Sequence, residues 1–129
     1  MKRRVLIPIV LAALLGPACD GEPEVGELAV EFSTTTSQDR AIFFKVEAAL
    51  PRTILGISAD CRDCEAFSYA VSDTLMYAVI TGPLVSGPIA RVTVSDVGSW
   101  REYSLTLVEV AGRDHQLRPV SAYQLAFER

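Results

Sequence analysis

From Glu27 onward the chain alternates. Leu28, Val30 and Phe32 are apolar, and Glu27, Ala29, Glu31 and Ser33 separate them. A period of two places one set on each face of a strand, so this stretch predicts a half-buried β-strand. Thr34 to Arg40 is polar and predicts a turn. Ala41 to Ala48 alternates again, with Ile42, Phe44 and Val46 on the inward face, and Pro51 closes it because proline cannot donate to a ladder. Thr53 to Ala59 predicts a third strand carrying Ile54, Leu55 and Ile57.

The pattern continues through the second half. Phe67, Tyr69 and Val71 alternate, Ser72-Asp73 turns the chain, and Leu75, Tyr77 and Val79 alternate in turn. This predicts a hairpin. A helix over Glu65 to Ile80 is the competing assignment, and the β-branched and aromatic content argues against it. Gly82-Pro83 and Gly87-Pro88 are strong turn signals. Ile89 to Ser95 predicts a strand with Val92 and Val94 on one face, and Asp96 to Arg101 a loop. Tyr103, Leu105 and Leu107 belong to a long strand ending near Val110, Ala111 to His115 turns, and Tyr123, Leu125 and Phe127 close the series. About eight short strands without a helical stripe predict an all-β fold, a single antiparallel β-sandwich over residues 27–129. Each strand has one oily face, and two stacked sheets bury both sets.

The N-terminus follows a different logic. Lys2, Arg3 and Arg4 precede the uncharged run Val5 to Leu15, and the small residues Gly16-Pro17-Ala18 lead to Cys19. A basic start, a short apolar run and a small-residue cut site predict a secretory signal peptide over residues 1–18. The run is too short to span a bilayer, which takes roughly 17–25 residues. Residues 19–26 are rich in Gly, Pro and Glu and predict a flexible tether.

This leader resembles that of bacterial lipoproteins. The resemblance implies that Cys19 becomes the first residue of the mature chain and carries lipid on its sulfur. The protein is then exported to the cell envelope and held at a membrane. Ordinary cleavage after Ala18, giving a secreted or periplasmic soluble protein, is the alternative. The turn-then-strand rhythm of Gly82 to Val94, and the strand count of the mature chain, resemble cohesin-like and immunoglobulin-like bacterial sandwiches. That second resemblance implies a fold and no binding residues.

Composition narrows the partners. The whole chain has a net charge of −4. Without the three cations of the leader, nine Lys and Arg face sixteen Asp and Glu, a charge of about −7. Nucleic-acid binding needs a basic footprint, so no nucleic-acid partner is expected.

Candidate chemistry is sparse. The cysteines are Cys19, Cys61 and Cys64. An odd count in an exported protein leaves one thiol to explain; with Cys19 lipidated, Cys61 and Cys64 are left to pair in a disulfide. A redox role for Cys61-Arg62-Asp63-Cys64 needs a thiol at a helix N-terminus, and a zinc role needs two further ligands. His115 follows Asp114, yet no nucleophile elbow accompanies them. Asp39, Asp60, Asp63, Asp73, Asp96 and Asp114 fall at predicted turns, where calcium would need roughly six to eight oxygens. No metal site, no catalytic residue and no cofactor is expected. Trp100 is a candidate partner contact, because Trp is favoured in hot spots, or a plug at one end of the sandwich.

The expected function is therefore a small envelope lipoprotein without enzymatic activity, binding or scaffolding an unknown envelope protein or glycan. The alternative is a thiol-disulfide or metal-handling protein using Cys61 and Cys64.

Overall fold

The computed structural model describes residues 22–35 and 39–128. The leader, Cys19 and the first residues of the tether lie outside the described residues. The chain forms β1 (Gly26–Ser33), β2 (Asp39–Ala48), β3 (Ile54–Ala59), β4 (Glu65–Ser72), β5 (Leu75–Leu84), β6 (Gly87–Val94), β7 (Tyr103–Gly112), β8 (Leu117–Arg118) and β9 (Gln124–Glu128). They build two antiparallel sheets, one in the order β3-β6-β1-β9 and one in the order β4-β5-β2-β7-β8. The all-β sandwich read from the alternation is present, with the two-residue β8 as a strand too short to leave a periodic signal.

The core is where the alternation places it. Leu28, Val30 and Phe32 of β1 and Ile42, Phe44 and Val46 of β2 are all buried. They join Ile80, Leu84, Ile89, Val92, Val94 and Val110 in one cluster between the sheets. β1 and β2 are inner strands of their respective sheets, so each is paired on both sides.

Three expectations are corrected. Gly82-Pro83 and Gly87-Pro88 do not turn the chain. β5 runs on to Leu84, and the link to β6 is only Val85-Ser86. Both Gly-Pro pairs lie at register shifts, one where Asp39 meets Leu84 and Ala41 meets Thr81, the other where Val30 meets Ala90 and Glu31 meets Pro88. Bulges are where a strand tolerates proline, and Gly82 and Gly87 take positive φ there (140° and 133°). The polar turn expected over Thr34 to Arg40 ends early, because β2 begins at Asp39 and Asp39 is fully buried.

The expected hairpin is present as β4 and β5, and the third correction concerns only which of its faces is buried. Leu75, Tyr77 and Val79 are not the core face of β5; Met76, Ala78 and Ile80 are. Ile42 pairs with Ile80 and Phe44 with Ala78, so β2 dictates which face of β5 turns inward. β4 inherits that parity. Ala66 pairs with Ile80 and Phe67 with Val79, which turns Phe67, Tyr69 and Val71 outward at 58%, 69% and 53% exposure.

Two phenylalanines of one sheet, on β2 and on β4 with β5 between them, thus have opposite fates. Phe44→Ala is expected to cost about 3–5 kcal/mol by emptying a core site. Phe67→Ala is expected to stay within about 1 kcal/mol, as for a surface change. Chemical denaturation of the two variants checks the register of β4 directly.

Candidate interaction surface

The two outer faces of the sandwich differ in chemistry. On the β3-β6-β1-β9 sheet the outward positions mix the charges of Glu27, Glu31, Arg91 and Glu128 with small residues such as Ala29, Thr93 and Ala126. The Arg91 guanidinium donates to Asp60 Oδ2 at 3.1 Å and lies 3.8 Å from Glu27. Glu31 stands near Glu128; desolvation first, then the neighbouring carboxylate, pushes the Glu31 carboxyl above its ordinary range.

On the other sheet, β4 and β5 turn mainly aromatic and aliphatic residues outward, joined by Phe43 of β2, while Lys45, Glu47 and Glu109 keep the rest of the face charged. Tyr77 pairs with Tyr69 on one side and with Lys45 on the other. Val79 pairs with Phe67 and with Phe43. Phe43 and Tyr77 stack with centroids 5.5 Å apart. These side chains line a shallow hollow of about 190 Å³ with Ser68 and Ala78. Pockets that enclose small molecules run from roughly 300 Å³ upward, so this hollow suits a side chain of a macromolecule better than a free ligand. Contiguous exposed apolar surface on a soluble domain marks an interaction site.

The sequence-derived candidates are distributed elsewhere. Cys61 and Cys64 are joined by a disulfide in the loop between β3 and β4. Neither sulfur sits at a helix N-terminus, the setting that would lower a thiol pKa. Both cysteines pack partly buried against the core. The loop rests on Gly82, where an added Cβ would come within 2.8 Å of the Asp63 carbonyl oxygen and 3.1 Å of Cys64 Sγ. Its place in the fold is to fasten the start of β4 to β5.

Trp100 lies in the 3-10 turn Val97–Glu102, partly buried against the core, with the Arg101 guanidinium 5.0 Å over its ring. That turn joins β6 to β7, and Trp100 is not among the residues lining the aromatic hollow. His115 occupies a tight turn at φ 64°. The Asp114 carboxylate beside it accepts from the Gln116 N–H at 3.1 Å and from Arg118 at 3.2 Å. Those bonds give the carboxylate a structural role in the turn. Among the described residues, no three His, Cys, Asp or Glu side chains are grouped to hold a metal ion.

The turn aspartates are structural too. Asp96 accepts from Ser99 Oγ at 2.7 Å and from the Glu24 N–H at 3.3 Å. The Ser99 bond leads in holding its carboxyl below the usual range. The Val97 N–H returns a bond to the Glu24 carbonyl at 2.8 Å, so the chain is already tied down at Glu24. Asp39 accepts from Thr34 Oγ1 and from the Tyr123 hydroxyl, each at 2.8 Å. Tyr123 also stacks on Phe32 at 5.6 Å. This buried carboxylate links β2 of one sheet to the segment entering β9 of the other. Alternation could not disclose it, since an Asp before a strand reads as a turn residue.

Neither family models, nor curated proteins, nor solved structures give a match to this chain.

Two outcomes test these local accounts. Gly82→Ala is expected to destabilise the domain by more than about 1 kcal/mol, since it combines a positive φ with a backbone collision. Thermal melting against wild type reads it. Burial first, then the Asp39 contact, raises the Tyr123 hydroxyl above its ordinary 10.0. A group raised in the folded state keeps its contribution below the unfolded pKa and loses it as pH climbs through the folded one. Stability is therefore expected to fall above about pH 10, and Tyr123→Phe is expected to flatten that alkaline slope.

Proposed function

We propose that this protein is a non-enzymatic binding or scaffolding module of the cell envelope, lipid-anchored through Cys19. The observation that carries the binding part is the aromatic patch on the outer face of β4, β5 and β2, set against an outer face of the other sheet that mixes charges with small residues. A domain with an acidic surface has no need to leave Phe67 and Tyr69 in water unless something covers them. The occupant on this reading is another envelope macromolecule, protein or glycan.

The anchor part rests on the leader, with its basic start, short apolar run and Gly16-Pro17-Ala18-Cys19. Glu24 is fixed to the Asp96–Val97 segment, and it lies five chain steps after Cys19. Fully extended they reach at most about 17 Å. An acylated Cys19 would keep the sandwich against its membrane, where the aromatic face meets other envelope components at high local concentration. Several acyl chains hold a protein stably where one does not.

The anchor is tested by the intact mass of the mature protein produced from the full-length gene in a bacterial host. The expected mass is that of residues 19–129 plus acyl groups. A bare polypeptide contradicts the anchor. The face is tested by hydroxyl-radical footprinting: Phe67 and Tyr69 are expected to oxidise several-fold more slowly in intact cells than in dilute purified protein. Equal rates would remove the binding reading.

A further inference from the structure

The sheet edges of this sandwich are unequal. β8 has two residues and β9 has five, the latter ending at Glu128. β3 carries a register shift between Ile54 and Gly56. Short strands, charges and bulges are the usual ways of blunting an edge. β4, Glu65 to Ser72, is eight residues long with no proline and no Lys or Arg; its one charge is Glu65 at the start and its one register shift lies between Ala70 and Ser72, which leaves Ala66 to Ala70 regular and uncharged. It overhangs the core, so Ser68 and Ala70 on its inner side are exposed as well. β5 fills one edge, and among the described residues no strand is hydrogen-bonded along the other, which β3 of the opposite sheet approaches across the sandwich. Water hydrogen-bonds such open backbone groups in a lone chain, and another extended chain can replace it.

We infer that the occupant is a second copy of this chain, its β4 running antiparallel to the first about a two-fold axis at Ser68. This rests on the binding-module reading and names its partner. The strand that fits must be neutral at its centre, with large apolar residues outward and small residues inward, and β4 itself has that pattern. Centred on Ser68, Phe67 of each copy meets Tyr69 of the other, Ala66 meets Ala70, and Glu65 meets Val71. Centred on Tyr69, Glu65 would face Asp73 of the other copy twice, and like charges directly opposed are unfavourable. Centred on Phe67, the overlap shortens.

The Ser68 register also completes the outer face. A row of cross-strand neighbours runs Phe43, Val79, Phe67, then Tyr69 and Tyr77 of the second copy. Glu109 closes that row at one end and Lys45 of the second copy at the other. Its symmetry mate repeats it, and two five-stranded sheets become one of ten strands. The axis stands perpendicular to the sheet, so the two strand directions oppose. Both lipid anchors then reach one membrane when the strands lie along its plane. A reach of about 17 Å from Glu24 covers that arrangement, with sheets stacked about 10 Å apart.

Single cysteines test the register. Ser68→Cys and Ala70→Cys, expressed from the full-length gene, are oxidised in intact cells and run on non-reducing gels. Ser68→Cys is expected to give a reductant-sensitive band of doubled mass. Ala70→Cys is expected to give none, because its own counterpart lies four residues along the partner strand, about 13 Å away and beyond disulfide reach. A companion variant, Ser68→Lys, sets two ammonium groups against each other on the axis. It is expected to halve the sedimentation mass of the detergent-extracted protein and to melt cooperatively at the temperature of the diluted, dissociated wild type. Equal cross-linking at both positions, no cross-linking at Ser68→Cys, or a wild type of single-chain mass overturns the second copy. In each of those cases, slowed oxidation of Phe67 and Tyr69 in cells still supports a binding module with a different partner; equal oxidation removes that module, and the cross-linking and sedimentation alone decide the second copy.

Discussion

Everything in this fold hangs on the packing of alternate residues of β1 against alternate residues of β2. Leu28, Val30 and Phe32 face Ile42, Phe44 and Val46 across the space between the sheets, and all six are buried. Because the strand period is two, fixing those faces fixes every neighbour in turn. β2 sets the parity of β5, and β5 sets that of β4. The outward position of Phe67 and Tyr69 is thus decided two strands away from them. The Cys61–Cys64 loop, seated on Gly82, secures the start of β4 in that register.

The architecture was largely legible from alternation, and the reason is physical. β1 and β2 each have one apolar set and one mixed set, so only one orientation buries oil. β5 has apolar residues on both faces, Leu75-Tyr77-Val79 and Met76-Ala78-Ile80, so its own pattern does not choose between them. β4 is harder still. Its large residues alternate with Ala66, Ser68 and Ala70, which reads as a core strand, yet its pairing turns the small set inward. That local pattern conflicts with the burial, and such conflicts between local pattern and tertiary placement concentrate at functional surfaces. The Gly-Pro pairs misled for another reason: a bulge and a turn use the same residues, and only the partner strand tells them apart.

The site itself was less legible than the fold. Sequence chemistry points to Cys61, Cys64, Trp100 and His115, residue types that often carry function. The structure gives them local work: a loop fastening, a partly buried contact against the core and a tight turn. The surface that stands out is made of Phe43, Phe67, Tyr69 and Tyr77, residue types that ordinarily vanish into a core. Their number in the sequence was visible, but their exposure depended on sheet order. On the proposed reading, a lipid on Cys19 and the aromatic face would be two parts of one arrangement. The first would confine the protein to a surface, and the second would give it something to hold there.

Hydrogen exchange of the β4 backbone tests the open edge most directly. Amides from Glu65 to Ser72 would be followed in the purified full-length gene product across a dilution series. The account predicts that those paired with β5 stay protected throughout, while the alternate ones are protected when concentrated and exchange on dilution. Rates independent of concentration along the whole strand would contradict it.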